Sequence, residues 1–369
     1  MTSEHSAPAS GETPSATEID DLVIVIPAGG VGSRLWPLSQ PHRPKFLLDL
    51  LGTGATLIQD TVARVRPLSS RVLVVTGERH VDAVAGQLDL PREDLLTEPS
   101  PRDSMAAIAL AAAVVEHRWG PRVIGSFAAD HLIPDAASFR ATVARAVEVA
   151  REGKVVVIGI EPTEPSTAFG YIEMGEAFTG AARHVVAFTE KPDAETAAGM
   201  LARGGFAWNA GMFVVRTDAL LGHLDRLQPA LAAGVREIAA AWDGPARAEV
   251  LARVWPTLTR IAIDHAIAEP VAAAGGVAVV PATFEWHDVG DFDSLAELSG
   301  AAETAVSIHR TAPVGAVGAA GALVVGGTKP VVIVGVDDAV VVESDEALLV
   351  TVRSAAQRVK DASASLETA

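Results

Sequence analysis

The feature that most constrains this chain is a series of short apolar runs separated by helical patterns. Leu22 to Ile26 is a continuous run rich in Val and Ile that passes at once into Pro27 and a glycine cluster, the pattern of a buried strand entering a loop. RVLVVT (71–76), RVIGSF (122–127) and KVVVIGI (154–160) repeat it, with helical patterns over Thr56–Val65, Ser104–His117 and Ser138–Arg151 between them. Strand and helix in alternation predict an α/β fold with a Rossmann-like, mixed and mainly parallel sheet flanked by helices. Beyond Ile160 the strands shorten (Phe169–Met174, His184–Thr189, Gly211–Arg216) among Ala-rich helices that run to Trp255. From about Ala301 helical signals fade into Gly-Val runs: GAVGAAGALVVGG, PVVIVGV, AVVVE and ALLVTV, then a short polar helix near Ser354–Ala362. The expected organisation is a disordered tail over 1–20, a main domain over 21–300, a small C-terminal β domain over 301–362 and a tail over 363–369. No fixed-period repeat stands out, although the glycine spacing of the β tail is compatible with a small β-helix.

Composition removes whole classes of function. Of 369 residues, 49% are hydrophobic and 20% charged, so the chain has the apolar content to fold. Lys and Arg number 29 against 46 Asp and Glu, and the net charge of −17 repels nucleic acid and anionic membrane alike. There is no cysteine, which excludes disulfides, thiol nucleophiles and thiolate metal sites. Any metal must sit on oxygen or imidazole. The first twenty residues lack a secretory signal's basic start and apolar centre, and the strongly apolar stretch Met105–Val115 is shorter than the ~18 to 20 residues of a membrane span. A cytoplasmic protein with neither nucleic-acid nor membrane partners is expected.

The loop after the first strand reads AGGVGSRLWPLSQPHRPK (28–45). Its glycines let backbone N–H groups approach a polyphosphate, and Arg34, Arg43 and Lys45 concentrate positive charge on an acidic protein. Arg34 and Lys45 are expected to be exposed, contributing little to folding. The loop is no Walker A motif, because no Gly-Lys-Ser/Thr follows at the required spacing. Leu35 in place of the third glycine also breaks the dinucleotide fingerprint and argues against a nicotinamide-dependent oxidoreductase.

RLWPLS in this loop is followed in order by EPSPRDSMAAIA (98–109), ADHLI (129–133), FGYIE (169–173), FTEKP (188–192), WNAGMF (208–213), IDHAIAE (263–269) and WHDVG (286–290). The ordered set resembles the sugar-1-phosphate nucleotidyltransferases, in their mannose-1-phosphate guanylyltransferase (GDP-mannose pyrophosphorylase) branch. The resemblance implies the nucleotidyltransferase fold and transfer of GMP from GTP to mannose 1-phosphate, giving GDP-mannose and pyrophosphate. The step would be a metal-assisted in-line attack on the α-phosphorus. It implies catalytic roles for Arg34, Lys45, Asp130, Lys191 and Asp288, with Mg²⁺ or another divalent cation on Asp130 and Asp288. Nucleotide contacts would come from Ala28, Gly29, Gly30, Gly32, Ser33, Arg34, Arg102, Asp103 and Ser104, and sugar contacts from Gly170, Glu190, Lys191 and Asn209. It also implies a homodimer formed with help from the β tail.

The chemistry of these residue types agrees. Asp130 follows an apolar strand, where open α/β sheets bind ligands, and carboxylate oxygens suit Mg²⁺. His131 and His287 beside the aspartates raise a His/Asp transition-metal site, but neighbours in an extended segment point to opposite faces. Asp103 either accepts from guanine N1–H and its exocyclic amine or caps the helix starting near Ser104. Arg102-Asp103-Ser104 departs from the family's usual Arg-Asn-Thr, as do Ala168 for glycine and Phe46 for glutamine. Two alternatives stand beside the main reading: a related sugar-1-phosphate nucleotidyltransferase using another base or sugar, and a non-catalytic, GDP-mannose-binding regulatory homologue.

Overall fold

The computed structural model describes residues 18–301 and 305–362. Strands β1 (Leu22–Ala28), β2 (Val72–Gly77), β3 (Leu95–Glu98) and β4 (Val123–Ser126) run parallel in the order β3-β2-β1-β4. β5 (Val155–Ile160), β6 (Gly170–Ala177), β7 (Arg183–Thr189), β8 (Phe206–Arg216) and β9 (Val277–Ala282) extend this to nine strands, ordered β3-β2-β1-β4-β8-β5-β9-β7-β6. β8 is antiparallel to both β4 and β5, so the sheet is mixed, with a parallel half around β1. Helices cover both faces, and β1, β2, β4 and β5 are accordingly buried runs of mostly Val and Ile rather than alternating patterns.

Helix α1 (Leu57–Val65) starts at a Thr56/Gln59 capping box and is followed by α2 (Val81–Gln87). α3 (Asp103–Trp119) is buried on every side from Met105 to Val115, and its alanines let it fit between the sheet and the helices Thr217–Leu227 and Pro229–Ala241. α4 (Ala136–Arg151) begins at Asp135, whose side chain accepts from the Ala137 and Ser138 amides. No helix among the described residues is long and apolar enough to cross a membrane.

The expected tails over 1–17 and 363–369 lie outside the described residues. Glu18–Asp20, placed in the disordered tail by composition, are held instead: the Ile19 amide donates to the Leu68 carbonyl (2.8 Å) and Glu18 accepts from the Ser70 amide (2.9 Å).

The C-terminal β domain comprises β10 (Val306–Ile308), β11 (Val314–Val317), β12 (Leu323–Val325), β13 (Val331–Val334), β14 (Ala339–Glu343) and β15 (Leu348–Val352). Val306 pairs with Leu323, Leu323 with Val340 and Val314 with Val331, all in parallel. This seventeen-residue stacking is a small parallel β-helix, closed by antiparallel β15 and the 3₁₀ helix Arg353–Asp361. Ile308, Leu323, Val325, Val340 and Val342 share one apolar cluster with Leu35, Leu48, Leu57, Phe292 and Leu295, so the β-helix packs directly on the segments around the glycine-rich loop.

Candidate active site

A cleft of about 380 Å³ opens at the C-terminal ends of the parallel strands, where the loops after β1, β3 and β4 diverge. Its walls include Ala28, Gly29 and Gly30, Glu98 at the end of β3, Arg102, Asp103 and Ser104 at the start of α3, and Asp130. Most of the residues that sequence assigned to the nucleotide thus converge here, but their side chains face differing tasks. Arg102 is taken up by the carbonyls of Leu258 (3.1 Å) and Pro256 (2.6 Å), and Ser104 Oγ accepts from the Ile263 amide (2.9 Å). Both tie the loop to the Pro256–Ile263 segment. Asp103 is exposed, with φ at +65°, and its carboxylate accepts from the Ser104 amide (2.8 Å). That left-handed conformation suits Asn and Asp more than other side chains.

Glu98 escaped the sequence reading although it opens the EPSPRD motif. It is only 7% exposed, its Oε1 has no hydrogen-bond partner among the described residues, and burial pushes its carboxyl up to about 7. A Cβ built on Gly29 would lie 3.9 Å from its Oε2, so the carboxyl sits beside the glycine loop. A buried carboxyl with an oxygen left without a donor, in a cleft wall, is a candidate for binding a ligand's N–H groups. Arg260, also missed, is an exposed cation on the same wall with no charged partner among the described residues.

Lys45 is not the exposed cation expected from the sequence. Only 3% exposed, it lies between two aspartates, with Nζ 3.0 Å from Asp130 Oδ2 and 3.3 Å from Asp288 Oδ1, and it also donates to the Asp288 carbonyl. The fold makes this possible at Gly32, whose φ is +76° and whose added Cβ would come within 2.6 Å of the Lys45 side chain. The two aspartates, far apart in sequence, are joined by a bridge in which Leu132 and His287 exchange backbone hydrogen bonds of 3.0 Å each. Burial pulls the Asp130 carboxyl up, but Lys45 and His131 outweigh it and hold the group below its ordinary value. His131 packs edge-on against Trp286, and burial lowers its imidazole. With one oxygen of each aspartate on Lys45, Asp130 Oδ1 and Asp288 Oδ2 remain as hard donors, a set that fits Mg²⁺ retaining several waters. Arg34 reaches the same place: a Cβ on Gly290 would meet its Nη2 at 3.1 Å and Asp288 Oδ2 at 3.4 Å. Ser33 is exposed at the head of the same turn.

Gly170, Glu190, Lys191 and Asn209 form a second cluster. In β8, four residues pass while β5 advances two, and this bulge presents Asn209 opposite Gly159 and Gly170 on its neighbouring strands. Asn209 Nδ2 donates to Asp264 (2.6 Å), a carboxyl that burial raises even though this bond lowers it. Glu190 lies 3.0 Å from the Lys191 ammonium, and a Cβ on Gly170 would collide with Glu190 at 2.6 Å. Asp264, in the quoted IDHAIAE motif, is the further polar residue of this cluster.

Residues 23–305 match the family model described as Nucleotidyl transferase. The chain belongs to the nucleotidyl transferase family. Xanthan biosynthesis protein XanB of Xanthomonas campestris pv. campestris (strain B100) is 38% identical over 289 residues, covering 76% of this chain and 60% of that protein. The mannose-1-phosphate guanylyltransferase of Escherichia coli (strain K12) is 37% identical over 290 residues, 75% of this chain and 60% of the relative. The chain therefore spans about three fifths of the length of these relatives. A crystal structure from Thermus thermophilus, described as a mannose-1-phosphate geranyltransferase, superimposes with a TM-score of 0.84 at 30% identity, covering 94% of this chain and 99% of that one. The matched span contains both clusters and the cleft.

Proposed function

We propose that this chain transfers GMP from GTP to mannose 1-phosphate, releasing GDP-mannose and pyrophosphate. The observation that carries the reading is Glu98, a buried carboxyl whose Oε1 has no partner among the described residues, in the wall of a cleft that also reaches Asp130, the ion-pair partner of Lys45. Ionised, it accepts from guanine N1–H and N2–H together, a donor pair that adenine lacks. Relatives named mannose-1-phosphate guanylyltransferase support the choice of sugar. A phosphate oxygen of the sugar phosphate attacks the α-phosphorus, the bond to the β-phosphate breaks, and pyrophosphate leaves with the electron pair. Arg34 and Lys45 neutralise the triphosphate, Lys191 draws in the sugar phosphate, and Glu190 and Asn209 accept and donate to mannose hydroxyls. Asp130 and Asp288 would hold Mg²⁺, which neutralises phosphate charge at the reacting centre. Incubation with GTP, Mg²⁺ and mannose 1-phosphate carrying ¹⁸O on its phosphate is expected to give labelled GDP-mannose and unlabelled pyrophosphate. Label in the pyrophosphate, or no nucleotide sugar, would overturn the reading.

For the homodimer, we propose that a second copy covers the exposed apolar face of the β-helix. Val317, Val332, Val334 and Val350 are each more than 60% exposed there. Val334→Glu is expected to convert a dimer into a monomer by light scattering while circular dichroism keeps the folded secondary structure; an unchanged mass removes this face from the interface.

A further inference from the structure

The C-terminal 3₁₀ helix Arg353–Asp361 does more than close the β-helix. Its Ala356 and Val359 enter the same apolar cluster as Leu35, the residue after Arg34, and the helix lies against the Ser33–Leu35 turn. From this helix Gln357 Oε1 accepts from Arg34 Nη1 at 3.0 Å. Its amide nitrogen donates to Asp291 Oδ2, and the other Asp291 oxygen accepts from the Asp293 (2.9 Å) and Ser294 (3.0 Å) amides at the start of helix Phe292–Leu298. Asp291 is 5% exposed and fixed by that helix, so it sets the orientation of the Gln357 amide: nitrogen toward the carboxylate, oxygen toward the guanidinium. On the far side of the guanidinium, Gly290 leaves room for Nη2 beside Asp288 Oδ2.

We infer that Gln357 is a positioning residue for Arg34, through which the β domain completes the phosphate side of the active site. The inference rests on the reading of Arg34 as a phosphate contact. A long arginine side chain held in place before its ligand arrives loses less freedom on binding, so the gain appears as affinity for the anion. Gln357 keeps one nitrogen of the fork occupied from behind and leaves the rest of the guanidinium for phosphate oxygens. Gly290, on the opposite side, has no side chain with which to hold the fork in the same way.

The test is a double-mutant cycle of Gln357→Met and Arg34→Ala in the full chain, read by calorimetric titration with inorganic pyrophosphate and Mg²⁺. Methionine keeps the length of the side chain and loses both hydrogen bonds. Gln357→Met is expected to weaken pyrophosphate binding by about 3- to 30-fold with Arg34 present, and to add nothing once Arg34 is alanine. In turnover it should raise KM for GTP and leave KM for mannose 1-phosphate unchanged. Equal losses in both backgrounds overturn the inference, and so does a helix that simply detaches, because detachment acts whether or not Arg34 is present. Undiminished binding by Gln357→Met, with Arg34→Ala clearly impaired, overturns the inference alone. Undiminished binding by Arg34→Ala overturns the reading of the loop on which it rests.

Discussion

Replacing Lys45 by methionine is expected to lower kcat/KM for GTP by about a hundred- to a thousandfold, the scale of one charge-stabilising group in a closed site. Unlike an exposed cation, it should also lower stability, by about 1–3 kcal/mol, because Asp130 and Asp288 lose the ammonium between them. The pH dependence has a definite sign. In the wild type Asp130 is held below its ordinary value of 3.8, so its contribution is present above that pH and lost as pH falls through the lower folded value. Without Lys45 the burial that was outweighed prevails and raises the same carboxyl. The stability gap between the two proteins should therefore be widest near neutrality and close as the medium becomes acidic, in thermal melts across pH. A variant as stable as wild type near neutrality would mean that the pair of short Lys45 contacts carries no net charge compensation.

Glu98→Gln is expected to separate stability from function. The wild-type carboxyl is raised from 4.5 to about 7 by burial, so the stability it contributes is full below 4.5 and lost as pH rises through 7. Glutamine needs no ionisation, and the variant should be more stable than wild type at alkaline pH by up to about 3 kcal/mol, with the gap vanishing in acid. Its preference for GTP over ATP should nevertheless fall by about 10- to 100-fold, because one acceptor oxygen becomes a donor opposite the guanine amine. Binding of GTP just below pH 7 should release more protons from wild type than from the variant, which calorimetry in buffers of differing ionisation enthalpy detects. Asp103→Asn is the control: exposed, bonded to its own helix and in a left-handed conformation, it should change selectivity little.

What the sequence made legible, and what it did not, follows from the range of the forces involved. β1, β2, β4 and β5 announce themselves because a parallel strand covered on both faces must be apolar along its whole length. β3 is four residues ending in a carboxylate, LLTE, and carries no such signal. Glu98 was missed for the same reason: its importance comes from desolvation by elements around it, which no local pattern encodes. Lys45 looked like a surface cation because its burial depends on a glycine thirteen positions earlier and on an aspartate 243 residues later. The β-helix has too few coils for its seventeen-residue spacing to read as a repeat, and of its glycines only Gly318 and Gly335 recur at that interval. Motif residues distant in sequence do meet within each cluster, Lys45 with Asp130 and Asp288, and Gly170 with Asn209, yet Arg102 and Ser104 spend their side chains on the loop's own anchorage.

The most direct measurement is initial-rate pyrophosphate release by the purified chain with Mg²⁺, across the four common nucleoside triphosphates and mannose and glucose 1-phosphates. The expected result is that kcat/KM is highest for GTP with mannose 1-phosphate and that excess chelator abolishes the rate. Faster turnover of dTTP or UTP with glucose 1-phosphate, or a rate indifferent to chelator, would contradict it.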